Sequence, residues 1–561
     1  MLKGLYKEQR GKAIFKIIFY LFILIFFIMP MIRLLLMSFK GQSGIGLSNY
    51  INVFSESRSI EAIKNTIIIG IFSNIISVIL GAVFAFLVAY TNIKWKALIE
   101  LLVLMPFIIP SYIITLSWSS LFTNTGVINT FLSSIGLGKI DIYTIPGIIL
   151  VLGICNIPIV YMITINMLRK IPSELEWAAI ASGYSKWQTL FKINLPQVMP
   201  AIMSGGILSF LAAIDNFAVP AFLGISSGIP VLSTYIYEKA IGFGPKAFNV
   251  AATLSIVLSL IAIIGTFLQG LLIKKNRSSD SIKEDYSVRI KFSKKVRMII
   301  QGVILTFLLL INIVPIITMI MSSLQKAYGV KFSLSTISFK NYEFLLSNKR
   351  VMSSVVNSLV LASIATVICI VLGVIIAYIK VRKNSIAMKI GENVISLTYA
   401  IPGIVLALAM ILHWTEPLPG FRPNIYGTIK ILIIAYITRY LILQIKSGTT
   451  AISAVDLSLE EAARVSGASK IRLWCKIIIP LISKQVLASA FLMFVSAMTE
   501  VTLSSMLASV GTKTIGLTIF SFQQAGNYNV SAAMSTIIIV LVLIGYLLPR
   551  MIIGKRKVIN N

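Results

Sequence analysis

The sequence is short of acidic residues, histidine and cysteine. Charged residues make up 12% of the 561 residues, compared with about 25% in soluble proteins, and Asp and Glu supply only 19 of them. The one histidine and the three cysteines, Cys155, Cys369 and Cys475, lack the spacing of a structural zinc site or a disulfide framework. No G-x-x-x-x-G-K-S/T phosphate loop and no Ser/His/Asp set occurs. We therefore expect neither a soluble enzyme nor a metal site, and no ATP hydrolysis through such a loop.

Apolar residues are abundant instead, at 57% of the chain, and the mean hydropathy is +0.92. Many of them form runs of about 20 residues, the length that crosses a bilayer as a helix. A spanning helix satisfies its own backbone polar groups. The sequence thus predicts an all-α polytopic membrane protein with about twelve transmembrane helices. The predicted spans are 13–38, 62–91, 97–123, 145–168, 197–222 and 248–273, followed by 297–323, 354–380, 389–414, 427–447, 483–508 and 530–553.

The charge balance predicts the orientation of these helices. The formal net charge is +31. Nucleic-acid binding is one interpretation of such a charge, but loops rich in Lys and Arg on the cytoplasmic side of a membrane are the commoner cause. With the N-terminus inside, most Lys and Arg fall in the predicted inner loops. We expect both termini in the cytoplasm, a lipid bilayer around the chain and no nucleic-acid partner.

The sequence contains an internal repeat. LEWAAIASGYSKWQTLFKINLP begins at Leu175 and LEEAARVSGASKIRLWCKIIIP at Leu459, an offset of 284 (459 − 175). Earlier in each half, Gly81 matches Gly373 with an offset of 292 (373 − 81). Because six helices return the chain to the same side, the repeats are parallel and related by an axis along the membrane normal. The predicted domains are a first transmembrane repeat in 1–273, a basic cytoplasmic linker in 274–296 and a second transmembrane repeat in 297–561.

The two matched segments lie in predicted cytoplasmic loops. Each is typical of a short helix, a glycine break, a second basic helix and a proline at the start of the next span. Adjacent alanines leave a small-residue face on the short helix, and Glu460 and Arg464 are spaced to pair on one side of it. The candidate residues are Glu176, Ala178, Ala179 and Gly183 in the first loop, and Glu460, Glu461, Ala462, Ala463 and Gly467 in the second.

The pattern E-A-A, then Gly, then I-x-L-P resembles the EAA loop of binding-protein-dependent ABC importer permeases. The second loop carries EEAARVSG, whereas the first has Trp177 where the second Glu usually stands. The resemblance implies that each short helix docks on a cytoplasmic ATPase, so that one fused chain meets two copies of that subunit. It also implies an extracytoplasmic substrate-binding protein and a multi-pass location in the bacterial cytoplasmic membrane. No cofactor is expected on this chain, since ATP and Mg²⁺ would be used by the ATPase.

Acidic residues inside predicted spans are candidates for the translocation pathway, because charge is costly there. One lies late in the fifth predicted span and one late in the eleventh, at nearly matched positions of the repeat. If they face the axis, they favour a cation. The alternatives are a helix cap or an ion pair with an arginine inside a span. The candidate pathway residues are Asp215, Asn216, Thr499 and Glu500.

The segments around these acids resemble one subgroup of the family. DNFAVPAFLG from Asp215 and TEVTLSSMLASVGTKTIGLTIFSFQQAG from Thr499 are similar to the fused ferric-iron permeases. That resemblance implies import of ferric iron by alternating access. Permeases for polyamines, 2-aminoethylphosphonate, thiamine and sulfate are close alternatives. An ion-coupled secondary transporter is the alternative from another class; the paired loops disfavour it, since such a protein needs no ATPase docking site.

Overall fold

A computed structural model describes residue 14 and residues 16–41, 44–242, 247–276, 284–330, 333–417 and 422–558. The chain forms two compact units, each named here for the matched loop that it holds. The first-loop unit comprises Phe54–Tyr235, Leu260–Asn348 and Ile519–Asn561, and the second-loop unit comprises Met1–Val53, Ile236–Ser259 and Lys349–Thr518.

Both units are built almost entirely from helices. Before the linker, the helices are Lys16–Phe39, Ser48–Ser55, Ser57–Tyr90, Lys96–Ile108, Ser111–Leu121, Val127–Ser134, Ile145–Leu168, Ser173–Ala181, Lys186–Asp215, Ala218–Leu223, Leu232–Ile241 and Ala247–Asn276. After it they are Lys294–Ser323, Leu334–Thr336 (a 3₁₀ turn), Lys340–Ser347, Lys349–Lys383, Ile386–Ala400, Gly403–Thr415, Ile429–Ser453, Leu457–Val465, Lys470–Met498, Thr502–Leu507, Ile515–Gln524 and Tyr528–Val558. The strands Lys40–Gly41 and Gly44–Ile45 pair antiparallel, with Lys40 opposite Ile45.

The length and composition of the helices confirm the predicted membrane class. Within the described residues, nine helices are long and apolar enough to span a bilayer, or eleven if each of two bent helix pairs is one span. The tenth predicted span, 427–447, falls on Ile429–Ser453, a 25-residue helix outside that set. Residues 13 and 15 of the first predicted span lie outside the described residues.

Two predicted spans are sharply bent rather than straight. Lys96–Ile108 meets Ser111–Leu121 at 103°, and Ile386–Ala400 meets Gly403–Thr415 at 110°. Pro110 and Pro402 stand at the two bends. Proline donates no backbone N–H and disfavours a helical residue before it, and Ile109 is accordingly extended, with φ −91° and ψ 129°. The prediction of continuous spans over 97–123 and 389–414 was therefore wrong.

Three other prolines leave their helix continuous but widen it. The residues before Pro30, Pro196 and Pro480 each donate their backbone N–H to the carbonyl five residues earlier, which makes a short π-helical segment. The wide turn accommodates a proline ring that would otherwise clash with the carbonyl four residues before it. The helices predicted to start at 197 and 483 therefore begin earlier, in Lys186–Asp215 and Lys470–Met498.

A glycine permits close helix packing at a matched position in each unit. In the first-loop unit, a Cβ on Gly81 would lie 2.8 Å from the Cβ of Val160 on the neighbouring helix. In the second-loop unit, a Cβ on Gly373 would lie 2.7 Å from the Cβ of Gln444. Small residues let helix backbones approach closely. Both helix pairs depend on the absence of a Cβ at the glycine, since a Cβ there would clash with the neighbouring helix.

Each compact unit combines helices from both halves of the sequence. In the first-loop unit, Lys294–Ser323 packs against Ser111–Leu121 of the first half. In the second-loop unit, Met29–Phe39 of the first half packs likewise against Gly403–Thr415. The predicted repeat limits come from sequence matching and stay a prediction. Of the predicted linker 274–296, residues 277–283 lie outside the described residues.

Candidate coupling loops and membrane acids

The two matched loops fold in the same way. Ser173–Ala181 and Leu457–Val465 are short helices, each followed by a glycine with positive φ, 90° at Gly183 and 79° at Gly467. The amide after each glycine returns to the carbonyl five residues earlier, at 3.0 and 2.9 Å. Such a left-handed helix end favours glycine. The structure thus contains the predicted short helix, glycine break and second helix in both loops.

Glu176 of the first loop is buried, with 7% of its surface exposed. Its Oε1 accepts hydrogen bonds from Arg289 Nη1 at 2.6 Å and from Asn194 Nδ2 at 2.7 Å. Nη2 of Arg289 donates to the carbonyl of Ile171 at 2.9 Å. Arg289 comes from the linker, so a segment outside the loop anchors the loop glutamate.

Glu460 of the second loop is buried more completely, with 1% exposed. Its Oε1 accepts a hydrogen bond from Arg382 Nε at 2.6 Å, and its Oε2 accepts one from the Tyr378 hydroxyl at 2.9 Å. Nη2 of Arg382 donates to the carbonyl of Val455 at 2.7 Å. The expected partner Arg464 lies 3.8 Å away, with its side chain 61% exposed. That pair is present, but exposure makes it the weaker of the two.

The two arginines make the same pair of contacts from different places in the chain. Each bridges the loop glutamate and the carbonyl five residues before it; Ile171 and Val455 share the loop offset of 284 (455 − 171). The position of Arg382 is matched in the first repeat by Tyr90, with the offset of 292 (382 − 90). The guanidinium of Arg289 lies over the Tyr90 ring, 5.2 Å from its centroid. The linker therefore supplies to the first loop the group that a helix end supplies to the second.

The outward faces of both short helices are exposed. Of the paired alanines, Ala179 and Ala463 are buried, whereas Ala178 and Ala462 are exposed. Trp177, which replaces the second Glu of the motif, is 63% exposed. Other exposed side chains are Leu175 and Ile180 in the first loop, and Leu459, Glu461 and Val465 in the second. Exposed apolar residues on a short helix suit contact with another protein.

The surroundings of the first loop shift the pKa of two carboxyl groups in opposite directions. Burial raises the pKa of Glu176, and the charge of Arg289 and the hydrogen bond from Asn194 oppose this rise without cancelling it. Burial also acts to raise the pKa of Asp285, but hydrogen bonds, first those from Ser287, and the Arg289 charge lower it to about 2. Asp285 is therefore a permanent anion at neutral pH, and its Oδ2 accepts a 2.9 Å hydrogen bond from Arg289.

The candidate acids lie where their helices break. Asp215 is the last residue of its helix, and Thr499 and Glu500 follow directly after the end of theirs. In both cases a helix of six residues comes next. The predictions of continuous spans over 197–222 and 483–508 are corrected accordingly.

Matched residues cap the short helices after these breaks. Asn216 Oδ1 accepts the Val219 N–H at 2.9 Å, and Glu500 Oε1 accepts the Leu503 N–H at 2.9 Å. Oε2 of Glu500 also accepts a 2.6 Å hydrogen bond from the Tyr440 hydroxyl. These contacts match the helix-cap alternative, because free amides at a helix start need an acceptor. The pathway role of these residues stays a prediction.

The two arginines inside predicted spans donate to backbone carbonyls. Arg33 Nη1 reaches the His413 carbonyl at 2.9 Å, and Arg439 Nη1 reaches the Ile401 carbonyl at 2.6 Å. The Ile401 carbonyl lies at the proline bend, where a helical backbone partner is lost. Among the described residues, no group of three or more His, Cys, Asp or Glu could hold a metal ion.

Sequence reasoning missed the partners that hold these carboxylates. Arg289 is 113 residues from Glu176 and Arg382 is 78 residues from Glu460, so no local spacing relates them. Arg382 lies in the last turn of the long helix Lys349–Lys383 with two lysines, and nothing in its sequence position marks it as the partner of Glu460. The other missed partners are Tyr378, Asn194 and Tyr440.

Known proteins resemble this chain over nearly its full length. A ferric transport system permease protein of Actinobacillus pleuropneumoniae is 23% identical over 563 residues, which cover 98% of this chain and 80% of that protein. An Fe(3+)-transport system permease protein of Haemophilus influenzae is 24% identical, covering 86% of this chain and 88% of that protein. The crystal structure of a bacterial alginate ABC transporter with its periplasmic protein includes a chain that is 20% identical, with a TM-score of 0.42; it covers 50% of this chain and 99% of that one.

A family model described as the binding-protein-dependent transport system inner membrane component matches residues 77–278 and again 369–557. The two matches include both loops and both broken acidic helices. Together they cover more than half of the chain, in two copies. The chain therefore belongs to the binding-protein-dependent transport system inner membrane components, the multi-pass permeases of ABC importers.

Proposed function

We propose that this chain is the fused permease of an ATP-driven importer of ferric iron, which an extracytoplasmic binding protein delivers. The support for iron is that two relatives that align with most of the chain are named as ferric-iron transport permeases. Iron would pass through as cargo rather than reside on the protein. An ATP-driven importer is preferred to the alternative, an ion-coupled secondary transporter, since the chain belongs to a family of ABC importer permeases.

The two loops are the proposed contact with the energy source. Each short helix would dock on one copy of a cytoplasmic ATPase, through exposed residues such as Ala178 and Trp177 in the first loop and Ala462 and Glu461 in the second. ATP and Mg²⁺ would be bound by that partner, and this chain would have no ATPase site of its own. ATP-driven closure of the partner would move both loops together and switch the permease between outward-open and inward-open states, a two-state change.

The proposed orientation places both loops and both chain ends in the cytoplasm. The loops carry Lys186, Lys192, Lys470 and Arg472 in their second helices. Short loops rich in Lys and Arg favour the inner side of a bacterial membrane. A reporter fused to the C-terminus that is active only in the cytoplasm would test this orientation.

The observation that carries the proposal is that an arginine joins each loop glutamate, Glu176 or Glu460, to the carbonyl five residues before it, which leaves matched helix faces exposed. We expect the double variant Glu176→Arg, Glu460→Arg to remain in the membrane but to lose ATP-dependent uptake. The exposed neighbour Glu174 gives a control, since Glu174→Arg adds the same charge to the first loop without touching the brace. Normal uptake by the double variant would reject the docking role.

The substrate is tested by uptake in a strain that lacks the chain. Radiolabelled ferric iron, putrescine, thiamine, sulfate and 2-aminoethylphosphonate are compared before and after the gene is restored. 2-Aminoethylphosphonate is the second candidate, because a Salmonella typhimurium relative named for its transport is 29% identical over 42% of this chain. We expect only the uptake of ferric iron to depend on the chain. If instead the uptake of one of the other substrates alone depends on it, ferric iron is the wrong substrate.

A further inference from the structure

The described part of the linker is bound closely to the first-loop unit. Asp285 accepts the Ser173 N–H at 3.0 Å, where the short helix of the first loop begins, and its own N–H donates to the Arg169 carbonyl at 2.7 Å. The backbone N–H groups of Arg289 and Ile290 both donate to the Tyr90 carbonyl at 2.9 Å. The segment therefore joins the first loop to the end of the helix Ser57–Tyr90.

Further contacts add to this attachment on both sides of Arg289. Phe292 N–H donates to Asn92 Oδ1 at 3.0 Å, and Asn92 Nδ2 donates back to the Phe292 carbonyl at 3.2 Å. The Arg169 guanidinium lies 5.0 Å from the ring centroid of Tyr286. A segment that served only as a tether would need none of these reciprocal contacts.

The second loop is held in another way. Its arginine comes from its own repeat, and its short helix packs on an apolar cluster that includes Ala463, Leu473 and Ile478. Tyr378, which bonds Glu460, also contacts Trp474, with ring centroids 4.7 Å apart. At the position matched to Ile478, the first loop has Asn194, whose amide bonds Glu176. In the second loop both the bracing arginine and the apolar cluster come from the same half of the chain, whereas the bracing arginine of the first loop comes from the linker.

We propose that linker segment 284–293 is a positioning element for the first coupling loop, with Arg289 as its positioning residue. The two loops of the fused chain are then held by different devices, and damage to the linker disturbs one loop alone. This inference rests on the proposed function for its effect on transport. Its effect on the loop itself is independent of any partner.

The first test measures the loop directly, by hydrogen exchange of the full chain in nanodiscs. Arg289→Ala removes a charge-assisted brace, and the amides of Ser173–Ala181 should exchange about tenfold faster or more. Those of Leu457–Val465 provide the internal reference and should be unchanged. Lys291→Ala is the matched control, because it removes one exposed positive charge from the same segment. Unchanged exchange in the first loop, or equal acceleration in both loops, would overturn the proposal.

The second test moves the brace to the position that the second repeat uses. In the Arg289→Ala background, Tyr90→Arg should restore slow exchange in the first loop, because Arg382 braces Glu460 from the matched position. Tyr90→Lys should restore less, since an ammonium cannot span two acceptors as a guanidinium fork does. A purely structural loss caused by the missing Arg289 side chain would not be rescued from another position, and absence of rescue would count against the positioning role.

The third test joins the loop to its proposed partner by cross-linking. Ala178→Cys and Ala462→Cys are exposed, matched probes, placed in a chain with the exposed Cys475 changed to Ser. An ATPase that co-purifies with the chain should cross-link to both. Adding Arg289→Ala should reduce the cross-linking yield at position 178 by about threefold or more. The cross-linking yield at position 462 should stay unchanged. Failure of both probes before that change would reject the proposed docking, whereas equal yields after it would reject the linker proposal alone.

Discussion

Arg289 and Arg382 make equivalent contacts, each joining a buried loop glutamate to the carbonyl five residues before it. One arginine lies in the linker and the other at the end of a long helix. The E-A-A glutamates, which the motif alone suggests as contact residues, are therefore internal anchors. Their exposed neighbours on the same helices are left for contact with a partner.

Loss of the second-loop anchor should destabilise the chain. Glu460→Ala leaves the Arg382 guanidinium without its carboxylate partner at a site where the Arg382 side chain is 12% exposed. Breaking a buried pair by removing one member costs about 3–5 kcal/mol. Glu461→Ala, on the exposed face next to it, should change the free energy of unfolding by less than about 0.5 kcal/mol. Chemical unfolding of the detergent-solubilised variants measures both values, and equal effects would argue against the anchor.

The packing glycine offers a second stability test. A Cβ at Gly373 would meet both the Cβ and the backbone carbonyl carbon of Gln444, at 2.7 and 2.9 Å. Gly373→Ala should therefore lower the free energy of unfolding by about 1–3 kcal/mol through overpacking. Gly302 is the matched control, because it also lies inside a helix but a Cβ there meets nothing within 4 Å. Gly302→Ala should stabilise the helix by up to about 1 kcal/mol, and a similar loss in both variants would contradict the packing argument.

The membrane class and both loops could be predicted because each has a local signal. Long apolar runs predict spans, and a glycine between two short helical patterns predicts a left-handed helix end such as Gly183. The bends had no such signal. Pro106, Pro158 and Pro315 all lie inside helices, whereas Pro110 stands at a bend of 103°. The residue type alone therefore does not tell which prolines break a helix.

The site residues show the same division between local and long-range information. The cap that Glu500 makes to the Leu503 amide spans three residues and was among the alternatives derived from the sequence. The contact between Arg289 and Glu176 spans 113 residues. The repeat does not predict this arginine, because the position in the first half that matches Arg382 holds Tyr90. Within the part of the chain that the structure describes, it is the folded linker that brings a guanidinium to Glu176.

Acid should weaken the linker attachment within a defined pH range. The pKa of Asp285 is lowered from 3.8 to about 2 in the folded chain, so between these values the unfolded chain binds more protons than the folded one. The stability that Asp285 contributes is therefore complete above pH 4 and is lost as the pH falls toward 2. Unfolding of the wild type and Asp285→Asn in detergent, measured from pH 7 to pH 2, should give curves that converge only below pH 4. Glu284→Gln, an exposed neighbour, is the control, and convergence already near pH 6 would contradict the assignment.

Glu500 allows the charge of a membrane acid to be separated from its capping role. In Glu500→Gln the amide oxygen can still accept the Leu503 N–H, whereas Glu500→Ala loses both the cap and the charge. If the carboxylate assists a cation along the pathway, Glu500→Gln should keep the unfolding midpoint of the wild type and lower iron uptake about tenfold, as expected for loss of one charge-assisted contact. Glu500→Ala should lower both. Tyr440→Phe removes only the hydroxyl donor to Oε2 and is the control for that hydrogen bond. Full uptake by Glu500→Gln, together with a destabilised Glu500→Ala, would assign this residue to the helix break alone, because the amide would then replace the carboxylate in everything that transport requires.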